Sequence, residues 1–181
     1  MSNSEIYVSV DIETSGPVPG IYSLLSIGAC LVSATHNALY LELQPDSEKH
    51  DAESLAVTGL DINRLQNEGL APEQAMLKLK DWLASLNAQH QKIIFVGLNA
   101  PFDWSFINFY FHKYIGNNPF GFTAIDIKAY YMGAMGCAWS ETKSSHMSAF
   151  LEPHTQPTHN ALDDARFQAE IFSLLLERSG R

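Results

Sequence analysis

The hydrophobic pattern changes period along the chain, and that change limits the fold more than any other feature. The first third alternates. Ile6, Val8 and Val10 take turns with Tyr7 and Ser9, the spacing of a β-strand with one apolar face. Comparable runs over residues 24–33 and 38–43 predict two more strands, with a hairpin turn at His36-Asn37. The stretch T-S-G-P-V-P-G, residues 14–20, requires a turn or loop. From Pro72 the apolar positions Ala75, Leu79, Trp82, Leu83 and Leu86 follow helical spacing, with proline in the first turn where it is tolerated. K-I-I-F-V-G, residues 92–97, predicts a fully buried strand. Residues 102–114 predict an aromatic-rich helix, and 123–132 a short strand or turn passing into a helix. Residues 140–146 read as a polar loop. Leu162, Ala165, Ala169, Phe172 and Leu176 mark a final helix over 161–177. Strands first, then strand and helices interleaved, predict an α/β layered domain with a central mixed β-sheet flanked by helices.

At 181 residues, with no repeat and no long linker, the chain predicts a single domain over 1–181. Hydrophobic residues at 46% against charged residues at 17% exclude a disordered chain. The apolar run 24–32 is broken by Ser26 and Gly28 and is too short to cross a bilayer, so neither membrane segment nor signal peptide is expected. Cys30 and Cys137 form no disulfide framework and no metal-binding spacing, although a bond between the two stays open. A reducing, cytoplasmic setting is expected. The formal net charge of −9 argues against a broad basic surface for long nucleic acid. It is compatible with an enzyme that meets phosphate through bound metal ions.

Three acidic stretches stand out. In V-S-V-D-I-E-T-S-G, Asp11 and Glu13 lie two apart on one face of a strand, where like charges repel and aspartate is disfavoured. In F-V-G-L-N-A-P-F-D, a strand ends at Gly97 and Asp103 enters the next helix; taken alone, it is an ordinary first-turn aspartate. In T-H-N-A-L-D-D-A-R, His159 precedes the last helix and Asp163 and Asp164 open it. Asp163 can form an ordinary surface pair with Arg166, whereas Asp164 borders the apolar stripe. Periodicity does not choose between the two acids, and a lone histidine there reads first as a cap or surface group.

Together the stretches make a stronger case. D-I-E-T-S-G, N-A-P-F-D and H-N-A-L-D-D-A match, in order, three motifs over residues 11–165. On them the chain resembles the DEDD exonucleases of the DnaQ-like, ribonuclease-H-like superfamily, in the branch with a histidine in its third motif (DEDDh), which includes ribonuclease T. The resemblance implies a ribonuclease H-like fold, with Asp11, Glu13, Asp103 and Asp164 as metal-binding carboxylates and His159 as general base. Thr14 and Phe102 would hold the terminal nucleotide. His146 and His154 are the fallback bases. Two departures are mild: Pro101 occupies the middle of the second motif, and Leu98 stands where many relatives carry histidine.

The implied activity is two-metal-ion 3′→5′ exonucleolytic hydrolysis at single-stranded DNA or RNA ends, releasing nucleoside 5′-monophosphates. All-oxygen ligands suit Mg²⁺ or Mn²⁺, and two such ions would relieve the repulsion between Asp11 and Glu13. The 140–157 segment, leading into His159, is expected to be a mobile loop that closes over the site. Two other readings compete: an inert nucleic-acid-binding or polymerase-associated module, and a phosphatase of small nucleotides, for which D-I-E lacks the D-x-D nucleophile arrangement. Members of the superfamily occur as monomers, dimers and subunits, so a homodimer stays open.

Overall fold

In a computed structural model of the chain, residues 5–86 and 91–180 are described. Five strands form one sheet in the order β3-β2-β1-β4-β5. They are β1 (Glu5–Thr14), β2 (Leu24–Leu31), β3 (Ala34–Glu42), β4 (Lys92–Gly97) and β5 (Ala124–Asp126). The first three pair antiparallel, whereas β1, β4 and β5 run parallel. The sheet is therefore mixed, as the sequence predicts.

Helices cover both faces. On one, Val8, Val10 and Ile12 of β1 pack with α3 (Pro72–Leu86) and α4 (Ala100–Tyr110), through Met76, Leu79, Phe106 and Tyr110. On the other, Cys30 and Val96 pack with α5 (Ile127–Met135), α6 (Ser144–Leu151) and α7 (Ala161–Arg178), through Tyr131, Met147 and Phe172. Each fully buried large apolar side chain contributes roughly 1.5–3 kcal/mol. The alternation along β1 thus sends its valines to one core and turns Ser9, Asp11 and Glu13 toward α7. Cys30 and Cys137 are both free thiols. Among the described residues, no helix is long and apolar enough to cross a membrane.

The structure departs from the sequence expectations in three places. The β2–β3 turn falls at Val32-Ser33, because Leu31 pairs with Ala34; His36 and Asn37 lie inside β3. Two helices, α1 (Ala52–Thr58) and α2 (Ile62–Glu68), occupy a stretch with no predicted element. Each has seven residues, too few for an apolar stripe to show. They are defined by caps instead: Asp51 accepts from the Ser54 amide and Asp61 from those of Asn63 and Arg64, with Gly59 and Gly69 at the ends. The expected 140–157 loop contains α6, whose apolar Met147 and Leu151 are buried against α7. Residues 142–143 before α6 and 152–157 after it are irregular.

One glycine decides where α7 rests. Gly28 of β2 is the direct partner of Asp11, and a Cβ there would lie 2.1 Å from the Ala161 carbonyl carbon and oxygen. The first turn of α7 presses on bare strand backbone, a close approach only glycine allows. Gly28→Ala is therefore expected to cost about 1–3 kcal/mol through overpacking. Gly133→Ala, in α5 with nothing within 4 Å of the added atom, should leave stability unchanged or raise it. Thermal melting of the two variants checks this; equal melting temperatures would contradict it.

Candidate active site

The site forms where two parallel strands part. β4 pairs with β1 only as far as Ser9. Beyond it, β4 ends and the chain turns into α4 through Asn99, in the left-handed conformation at φ 66°. Asparagine tolerates that conformation better than most residues, which explains its place in N-A-P-F-D. The Ala100 amide donates to Asp126 Oδ2 at 2.7 Å, fixing the start of α4 against the end of β5. With β4 gone, the Ile12 amide faces α4, and Asp103 Oδ1 accepts from it at 3.2 Å. Crevices of this kind, outside the carboxyl ends of strands, are where open α/β sheets bind ligands.

From the other side comes α7. Asn160 caps it, accepting from the Leu162 and Asp163 amides. Asp163 points outward and pairs with Arg166 at 3.4 Å. Asp164 points inward, so that carboxylate oxygens of Asp11, Glu13 and Asp164 all lie within 4.8 Å of one another. Asp103, only 4% exposed, is not one of these three, but it is close enough to Asp11 for the two charges to repel. Burial, more than charge, raises the pKa values of Asp11, Asp103 and Glu13. It drives Asp11 well above the usual carboxylate range, with Asp103, Asp164 and Glu13 adding repulsion. Burial lifts Asp103 to about 8, and burial with Asp164 lifts Glu13 to about 7. An oxygen-only donor set that repels itself in this way fits hard divalent cations.

His159 is exposed and lies beside the cluster, with its backbone at φ 61°. Asp164 holds that segment by accepting from the amides of Thr158 at 2.6 Å and His159 at 3.2 Å. Farther along α7, Glu170 accepts from the amides of His154 and Thr155 at 2.7 and 2.9 Å. Two carboxylates of one helix thus tether the run into His159. His146 lies in α6, away from that run, and His154 is held through its amide.

Beside Glu13 opens a cavity of about 330 Å³, lined by Thr14, Phe102, Ser54, Val57 and Thr58. Phe102 is half-buried with its ring 5.5 Å from that of Phe106, whereas Trp104 packs edge-on against Phe95 and Phe120 in the core. The α1 side of this cavity had no signal in the sequence. Nor did Gln168, buried on α7, which hydrogen-bonds Asp11. Its spacing, four residues after Asp164, was the available clue. Gly28 was legible only as an isolated glycine in an apolar run.

An exonuclease family model, RNase_T, matches residues 8–172. The chain belongs to this exonuclease family. Membership makes it a nuclease, hydrolysing phosphodiester bonds. A 3′-5′ DNA exonuclease of Escherichia coli, Cap18, is 47% identical over 174 residues, covering 96% of this chain and 93% of that protein. The nuclease domain of 3′hExo, a DEDDh family member solved with rAMP, superposes with a TM-score of 0.77 at 17% identity, over 97% of this chain and 92% of the other. E. coli Exonuclease I in complex with a dT13 oligonucleotide gives 0.74 at 15% identity, over 98% of this chain and 42% of the other. These likenesses establish the ribonuclease H-like fold.

The raised carboxyl groups set a pH dependence. Folding lifts Glu13 from an ordinary 4.5 to about 7, so across that window the folded chain holds a proton that the unfolded chain has released. Stability must therefore fall as pH rises through the window, and Asp103, lifted to about 8, extends the loss upward. Without divalent metal, the melting temperature should drop between about pH 5 and pH 8. Added Mn²⁺ should restore more of it at the upper end, because cations bind the ionised acids. A flat or rising apo profile would contradict this.

Proposed function

We propose that the chain is a divalent-metal-dependent 3′→5′ exonuclease that shortens single-stranded DNA, working as one domain in the cytoplasm. The carboxylate cluster at the carboxyl end of β1 carries this reading: Asp11, Glu13 and Asp164 within 4.8 Å of one another, with buried Asp103 near enough to repel Asp11. The DNA exonuclease relative supports DNA as the substrate over RNA. In this reading Asp11, Glu13, Asp103 and Asp164 hold two ions, Mg²⁺ or Mn²⁺. Bound there, such ions supply Lewis-acid stabilisation of the attacking and departing oxygens of an in-line displacement.

The chain's own residues do the rest. The cavity beside Glu13 takes the terminal nucleotide, with Phe102 offering a ring face to the base and Thr14 a polar edge. Its position next to the acids supports the last phosphodiester lying at the cluster. His159 takes a proton from the attacking water, whose oxygen bonds to phosphorus as the bond to the 3′-oxygen breaks. That 3′-oxygen leaves on the shortened strand and gains a proton; the product is a nucleoside 5′-monophosphate. Asp164 acts on both sides, as a member of the cluster and as acceptor for the His159 amide.

The test uses matched 5′-labelled single-stranded DNA and RNA with Mg²⁺, Mn²⁺ or EDTA. A ladder shrinking from the 3′ end, absent with EDTA and in Asp11→Asn, is expected, with DNA degraded faster. His159→Ala should lower kcat by about 10²–10⁴-fold while leaving Mn²⁺ binding intact. No cleavage by a folded, metal-bound protein would overturn the reading and favour an inert binding module.

A further inference from the structure

We propose that Gln168 is a positioning residue that holds the carboxylate of Asp11 in the orientation metal binding requires; the inference rests on the two-metal reading above. Gln168 is a polar side chain only 3% exposed, one helical turn beyond Asp164. Both ends of its amide are used. Oε1 accepts from the Leu98 amide at 2.9 Å, and Nε2 donates to Asp11 Oδ1 at 2.5 Å. That pairing also fixes which way the amide faces. Reversed, it would set an NH₂ against an N–H and a carbonyl oxygen against a carboxylate, losing both bonds.

Asp11 needs such a partner. Its charged neighbours Asp103, Asp164 and Glu13 are all acids, so repulsion would turn the carboxylate away from the place where the three acids converge. The amide holds Oδ1 and so fixes the direction of the whole carboxylate relative to the cluster. A lysine or arginine would pin it equally well, but would bring a positive charge that competes with cations. A neutral donor fixes direction without reducing the charge that attracts metal. Outer hydrogen-bond partners that orient metal ligands in this way are worth about 10–100-fold in metal affinity or activity.

The amide also joins three pieces of chain. Leu98 follows directly on the end of β4, Asp11 is in β1, and Gln168 shares α7 with Asp164. The docking that brings Asp164 to the cluster therefore also sets the angle of Asp11. Mispositioning α7 would disturb two ligands at once.

The experiment titrates Mn²⁺ calorimetrically into wild type, Gln168→Met and Gln168→Glu without nucleic acid, alongside apo melting curves and kcat measured against Mn²⁺ concentration. Methionine keeps the length and removes both bonds. Glutamate keeps an acceptor for Leu98 and removes the donor to Asp11. The Mn²⁺ dissociation constant should rise roughly 10–100-fold in Gln168→Met and should also rise in Gln168→Glu, which lacks the donor to Asp11. Excess Mn²⁺ should recover much of kcat in Gln168→Met, because every ligand is still present. Wild-type Mn²⁺ affinity in the folded variants, with only a lowered melting temperature, would show that the amide merely packs, as would a Gln168→Glu variant that binds Mn²⁺ normally when Gln168→Met fails to fold. Failure of wild type itself to bind Mn²⁺ or degrade DNA would instead remove the two-metal reading.

Discussion

The first turn of α7 rests on strand backbone at Gly28, with no side chain between them. Because Gly28 pairs with Asp11 across the β1–β2 ladder, this contact delivers the helix beside the acids of β1. Cys30, two residues along the same strand, adds a second point of attachment by donating its thiol to the Ala165 carbonyl at 3.5 Å. From that seat Asp164 reaches Asp11 and Glu13, Gln168 reaches Asp11, and the amides of Thr158 and His159 fall to Asp164. The parting of β1 from β4 does the same work on the other side. It frees the Ile12 amide, and Asp103 satisfies it.

The assembled acids oppose the stability of the fold that carries them. Burial penalises the charges of Asp11, Asp103 and Glu13, and neighbouring acids add repulsion, so these three retain protons above the range of free carboxyl groups. A polar constellation of this kind is costly in an empty site and favourable once cations enter. The overall charge of −9 fits the same design: phosphate is met through metal at one place, while the rest of the surface has no need to attract long nucleic acid.

How much of this the sequence carried depended on the kind of signal. Strand alternation in β1 and helical spacing in α3 and α7 were plain, because a buried face repeats over many residues. The short helices α1, α2 and α6 were not. A helix of seven or eight residues turns only about twice, and its apolar positions are too few to declare a period. The acids of the site were conspicuous because they break strand and helix rules, but their convergence was carried by motif resemblance and not by spacing. Asp164 and Asp163 differ by one position, and only the docked helix turns one inward and the other to Arg166. Gln168 and Gly28 carry no charge and break no rule strongly. Their roles arise from tertiary contact.

If four mutually repelling carboxylates hold divalent cations, metal entry must expel the protons that burial retains. Titrating Mn²⁺ into the protein near pH 7, in buffers of different ionisation enthalpy, measures that release directly. Protons released on binding in wild type, and fewer in Glu13→Gln, are the expected result. Binding heats identical in every buffer, or no binding at all, would contradict the view that this cluster is a metal site held in its proton-bearing form until the cations arrive.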